Sequence, residues 1–214
     1  MEDPSEFLQS LLRLPDDQII PPDADLSPFY RTWGFTVFRT SYKDGSDQHW
    51  QSLLDKIASQ VSIVVLGSDS SRQGNPVAQQ IMSLFRLDAR SKFELLNNLE
   101  MDQVRQLYKD GVGGQPMNSD ERSRRCFLLA DDEVLEGVSY NESWVKCVDV
   151  DYIAADHIPR NTRLGGQRYF GWMKMATQSV SQLWDMLGSR HLVGIAPPTI
   201  GGSHLTVWES DAGI

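Results

Sequence analysis

Trp50, Leu53, Leu54, Ile57 and Val61 fall at i, i+3, i+4, i+7 and i+11, one apolar face of an amphipathic helix. No other segment constrains the fold as strongly. Before it stands "WGFTVFRTSY", Trp33 to Tyr42, whose β-branched and aromatic content reads as a strand. After it comes "VSIVVLG", which reads as a short buried strand. The chain therefore announces a strand–helix–strand unit.

Around that unit the order of elements is legible. "PSEFLQSLLRL" predicts a helix capped by Ser5, followed by a proline- and acid-rich extended connector, so residues 1–32 read as an N-terminal helix and connector. Residues 68–120 read as a mainly helical insertion. It opens on a loop with Asn75 as cap and Pro76 in the first turn. An apolar face follows through Val77, Ile81, Leu84 and Phe85, then shorter pieces around Phe93–Leu99 and Asp102–Tyr108. "RRCFLLADD", "SWVKCVDVDYI", "RYFGWMKMA" and "SHLTVWES" read as strands, with helices through Val134, Leu135 and Val138 and through Val180, Leu183, Trp184 and Leu187. The C-terminal half thus runs strand–helix–strand twice. That order matches an α+β fold with a ferredoxin-like, split βαβ sheet, a helical insertion, and two βαβ-type halves within a single domain, 1–214.

Composition narrows the partners. At 214 residues, 40% hydrophobic and 23% charged, the chain can bury a core without staples. A formal charge of −9 argues against nucleic acid and against an anionic membrane surface, since both are bound by lysine and arginine. No apolar run reaches bilayer length, and the first residues are acidic where a signal peptide is basic. Two cysteines, Cys126 and Cys147, fit a reducing compartment and read as small core residues. The expectation is a cytoplasmic protein.

Common chemical signatures do not occur. His49, His157, His191 and His204 stand far apart, with no H-x-x-x-H or C-x-x-C spacing, so no metal site is expected. Neither phosphate-binding glycine motif is present, nor a G-x-S-x-G elbow, and no cofactor is expected. Asp131, Asp132 and Glu133 read as acids at a helix start. Asp149 and Asp151 stand two apart on one strand face, either solvated or a carboxylate pair lining a pocket. Arg39 continues the line of Phe35 and Val37, either in a structural ion pair at the sheet's rim or gripping an anionic group.

The densest candidate is "DHIPRNTRLGGQRYFGWMKM", Asp156 to Met175, which gathers Arg160, Arg163, Arg168 and Lys174 against one acid. Its loop is longer than a connector between strands requires, as lids and binding segments are. His157 is a candidate acid or base, Tyr169 a polar contact, and Arg160 a grip for a carboxylate or phosphate. His204 stands at the start of the last strand, at the rim of a site. Trp144 and Trp172 are candidate walls of an aromatic-lined pocket.

"WGFTVFRTSYKDGSDQHWQSLLDKI", "FLLADDEVLEGV" and "WVKCVDVDYIAADHIPRN…RYFGWMKM" resemble a family of small proteins of unknown function, widespread in filamentous ascomycete fungi. The likeness covers most of the chain from Trp33 onward. It implies an intracellular fungal protein and a setting in secondary metabolism, and it transfers no catalytic residue. Two functions are compatible with these residues. One is a cofactor-independent cyclase, isomerase or pericyclase acting on a small molecule, with Arg39, His157 and Tyr169 as catalytic contacts. Arg160, Trp172, Trp144, Asp149, Asp151 and His204 would then bind the substrate. The other is a non-catalytic binding or protein-interaction module. A homodimer is compatible with both.

Overall fold

The structure is a computed structural model that describes residues 3–15, 20–21, 24–67, 74–159 and 166–210. Strand β1 (Trp33–Arg39) lies inside the sheet, buried along its whole length. It pairs in parallel with β2 (Phe85–Arg90) on one side and with β3 (Cys126–Ala130) on the other. β4 (Trp144–Asp149) and β5 (Trp172–Ala176) continue antiparallel, and β6 (Val207–Trp208) closes the edge parallel to β5. The order is β2-β1-β3-β4-β5-β6, a six-stranded mixed sheet, with seven α-helices among the described residues.

Alternation along the strands sends side chains to two cores. Phe35, Val37, Leu128, Val145, Cys147, Met173 and Met175 face the larger one. It is closed by α1 (Pro4–Ser10), α2 (Ser46–Leu66), α3 (Pro76–Leu84), α6 (Asp132–Ser139) and α7 (Val180–Met186). Trp33 and Trp184 lie at its centre with Phe7 against both, and the Trp33 indole donates to the Ile81 carbonyl at 2.7 Å. On the opposite face Phe38, Phe127, Leu129, Val148 and Val150 meet Leu96, Val104 and Tyr108 from α4 (Phe93–Leu96) and α5 (Met101–Asp110).

The α+β class is as the sequence implies, but a split βαβ sheet with helices on one face is met only at that level. β1 and β2 are hydrogen-bonded neighbours, with no strand inserted between them, and helices cover both faces. Two adjacent parallel pairs joined through helices do occur, β1 with β2 and β5 with β6. The second strand of the first unit is also not "VSIVVLG". Those residues form the last turns of α2, where Ile57, Val61 and Val65 keep the helical interval and Ile63 faces solvent. Phe85, placed on a helical face by the sequence reading, instead begins β2, so the segment read as mainly helical contributes an edge strand.

β1 leads through α2 and α3 to β2 on one side of it, and β3 leads through α6 to β4 on the other, so the chain departs in opposite directions along the sheet from the adjacent carboxyl ends of β1 and β3. A crevice opens at such a point in α/β sheets. Here its volume is about 430 Å³, and Thr40, Asn98, Met101, Asp131, Glu133 and Lys146 are among its lining residues.

Candidate functional site

The strand sequence "WVKCVD" places Val145 and Cys147 in the larger core and aims Lys146 at the other face, between Trp144 and Val148. Lys146 is only 7% exposed, so its ammonium group needs partners. Asp131 Oδ2 accepts from it at 2.6 Å and Glu133 Oε2 lies 2.7 Å away. Both acids come from the β3–α6 junction. Asp131 is the N-cap of α6, its Oδ1 accepting the Val134 amide, and Glu133 lies in the first turn. The helix-start role read from the sequence therefore holds for Asp131, whose second oxygen also holds the lysine. Asp132 turns away to pair with Lys43 at 2.7 Å.

Lys174 lies directly opposite Lys146 in the β4–β5 register. Like charges so placed repel across a sheet. Glu133 bridges them, with Oε1 accepting from Lys174 at 2.7 Å. Burial works against the Glu133 carboxylate, yet the hydrogen bonds from Lys146 and Lys174 outweigh it and hold its pKa below the usual range. Each lysine also sits on a tryptophan: Lys146 Nζ is 4.9 Å from the Trp172 ring centre and Lys174 Nζ 4.4 Å from that of Trp144. His204 stacks on Trp172 with ring centres 3.5 Å apart and planes at 25°. Burial, then the charges of Lys146 and Lys174, lower its pKa to about 4, so the imidazole is neutral near pH 7.

Of the residues singled out in the sequence, Trp144, Trp172 and His204 are thus brought together. A second group forms beside β5. The Tyr169 hydroxyl donates to Asp149 Oδ2 at 3.0 Å, and burial, then the Asp149 charge, push its pKa up, so it stays protonated. His157 stacks on Tyr152 and meets Tyr169 edge-on. Arg105 ties this group down, donating to the carbonyls of Asp149 and Gly171. Asp149 and Asp151 do not form a carboxylate pair: Asp149 Oδ1 accepts the Asp151 amide, and the Asp151 carboxylate lies 3.2 Å from Arg125.

Arg39 takes the structural alternative. It is buried, donating to the Ser41 carbonyl and Ser46 hydroxyl at 2.7 Å each and pairing with Asp47 at 2.6 Å, and so fixes the turn from β1 into α2. Arg160 and Arg163 lie outside the described residues.

Sequence reasoning missed Lys146 and the part played by Glu133. The signal for Lys146 was present, a lone cation alternating with Trp144 and Val148 along a strand, the same oddity that drew attention to Arg39. The lining of the crevice also differs from the expected aromatic pocket. Its described residues are charged, polar or aliphatic, and aromatic rings enter only beneath the lysines.

Chemically, the group offers two ammonium donors, a neutral imidazole that can accept a proton, and two carboxylates that fix the donors. Among the described residues no group of three or more His, Cys, Asp or Glu is arranged to hold a metal ion, and no helix is long and apolar enough to cross a membrane. No protein-family model matches the chain, and no curated protein or solved structure matches it. The likeness to the fungal family therefore rests on its motif string alone.

Proposed function

We propose that the chain is a cofactor-independent enzyme of isomerase or cyclase type. Its substrate is a small molecule carrying a carbonyl or carboxylate, bound in the crevice at the carboxyl ends of β1 and β3. The observation that carries this reading is Lys146, a nearly buried ammonium group held by two acids at the crevice wall. A fixed cation in such a place stabilises the oxyanion that develops when a proton leaves the carbon next to a carbonyl. His204, which stacks on the same Trp172 ring that the Lys146 ammonium contacts, is the base for a substrate that reaches from the crevice past Lys146: the proton passes from carbon to the imidazole, and the electron pair moves to the oxygen facing Lys146. Return of the proton to a different carbon isomerises the substrate. In the cyclising case the enolate carbon adds to a second carbonyl of the same molecule, whose C=O π bond breaks as the new C–C bond forms and whose oxygen takes the proton back from the imidazole. Asp131 and Glu133 are positioning residues, and Trp172 keeps the imidazole neutral by burying one face.

The test is exchange of substrate hydrogen for deuterium in heavy water, followed by NMR over a panel of small keto acids, ketones and lactones. The wild-type protein should catalyse exchange next to the carbonyl of at least one compound. His204→Gln should reduce that rate by about a hundredfold or more, the usual contribution of a general base. Absence of exchange across the panel and across fractionated extract of the source cells would count against the enzyme.

A second reading, a non-catalytic binding or interaction module, is favoured by one observation. Ile153, Ile158, Ile200 and Leu205 are all exposed on the loops next to Tyr152, His157, Thr199 and His204. Such side chains suit a protein surface, a second copy of the chain included. A concentration-dependent mass in sedimentation, abolished by Ile200→Asp with Leu205→Asp, together with no exchange activity, would establish it.

A further inference from the structure

Away from the crevice, where the N-terminal segment meets the body, three arginines converge on one acid. The Leu12–Tyr30 bridge, with the Arg13 amide on the Phe29 carbonyl and the Arg31 amide on the Leu11 carbonyl, sets residues 11–13 and 29–31 side by side. Arg13 and Arg31 leave these paired segments. Arg124 arrives from the 3₁₀ turn Arg122–Arg124 that leads into β3. Both oxygens of Glu121 are occupied, Oε1 by Arg13 and Arg31 and Oε2 by Arg124. Among the described residues Glu121 is the one acid ion-paired with the three arginines; Asp120 and Asp185 are exposed and attract Arg31 and Arg124 without an ion pair.

The hydrogen-bond donors are likewise in excess. Arg124 uses Nε on the Trp184 carbonyl, but Nε and Nη2 of Arg31 are buried without any partner. A guanidinium carries five N–H donors and no acceptor, and buried donors of this kind find an oxygen. The Trp184 ring lies 4.9 Å from the Arg31 guanidinium carbon and 4.1 Å from that of Arg124. It attracts both cations but supplies no oxygen to accept the free N–H groups. Burial, then the charges of Arg124 and Arg13, lower the Arg31 pKa to about 9. Arginine gives up its proton only with great reluctance, so the strain on its charged form is relieved by adding an anion.

We infer that Arg13, Arg31 and Arg124 form a binding site for a compact oxyanion, a phosphate or a carboxylate group, separate from the crevice. The anion completes the donors of Arg31 and clamps residues 11–13 and 29–31 onto the β3 approach and α7. This makes it a site for an effector or for the anionic end of a larger ligand.

The experiment titrates the full chain calorimetrically with inorganic phosphate, and separately with succinate, at constant ionic strength held by sodium chloride. Saturable binding of either is expected, phosphate binding identifying a tetrahedral oxyanion and succinate a carboxylate. Amide hydrogen exchange at residues 11–13 and 29–31 should slow on binding. Arg13→Ala, at a side chain 54% exposed, should fold normally and weaken binding about tenfold, as loss of a charge-assisted contact does. Arg31→Met should remove binding, and if that variant does not fold, Arg13→Ala decides alone. No saturable heat at millimolar phosphate or succinate, or equal affinity in wild type and Arg13→Ala, would overturn the site.

Discussion

His204 carries its history in its environment. Stacked on Trp172 and faced by two lysines, it titrates near 4 when folded and near 6.5 when unfolded. The unfolded chain therefore takes up a proton that the folded one refuses, and stability falls as pH drops from 6.5 toward 4. Above that window the contribution is fully present. The ring is only partly buried, so solvent screening keeps the effect modest. Replacing it by glutamine should flatten the slope, so that the urea midpoints of wild type and His204→Gln run parallel above pH 6.5 and converge or cross below it. Parallel curves over the whole range would show that the imidazole is not held neutral. Tyr169 offers a contrasting case. Its hydroxyl serves Asp149, so Tyr169→Phe should lower stability by about 1 kcal/mol through the lost hydrogen bond and leave exchange chemistry at the crevice intact.

Among the elements, the β1–β2 pair depends most on a single backbone position. Gly34 has φ +125°, and a Cβ there would stand 2.0 Å from the Arg86 carbonyl oxygen on its register partner. Gly34→Ala should therefore destabilise by about 3 kcal/mol, measured by urea unfolding, because both the backbone conformation and the strand spacing resist it. Nothing in "WGFTVF" alone flags that requirement, since the obstacle lies on β2. The same strand explains where sequence reading stopped. β1, β3, β4 and α2 were legible because each buries a regular apolar set, period two or period 3.6. "FRLDAR" is an edge strand bearing two arginines and an aspartate, and has no such set. "VSIVVLG" has strand composition, but its Val61–Val65 spacing extends the helix that begins at Ser46, and cooperative extension prevails. Candidate residues followed the same rule. Trp172 and His204 lie far apart in sequence and meet only through the β5–β6 pairing, so their individual oddity was visible and their contact was not.

The chain's net charge of −9 is unevenly spent, and that lets stability be separated from function at Lys146. Asp131 and Glu133 have side chains 27% and 49% exposed, so both stay hydrated without the lysine, and Glu133 keeps Lys174. Lys146→Met fills the same stem volume against Trp172 and should change stability by about 1 kcal/mol or less. Glu133→Gln is the harsher change, because it leaves Lys146 and Lys174 facing each other across the β4–β5 pair with only Asp131 to answer them. It should destabilise more than Lys146→Met at low salt. Part of that deficit should disappear in 1 M salt, where the Debye length of about 3 Å screens the repulsion. Exchange activity should show the reverse order, lost in Lys146→Met at every salt concentration and only reduced in Glu133→Gln, whose Lys146 still faces the crevice. If Lys146→Met proves the less stable protein, or keeps its activity, then the lysine is a structural tie between β4 and α6 and the oxyanion role assigned to it fails.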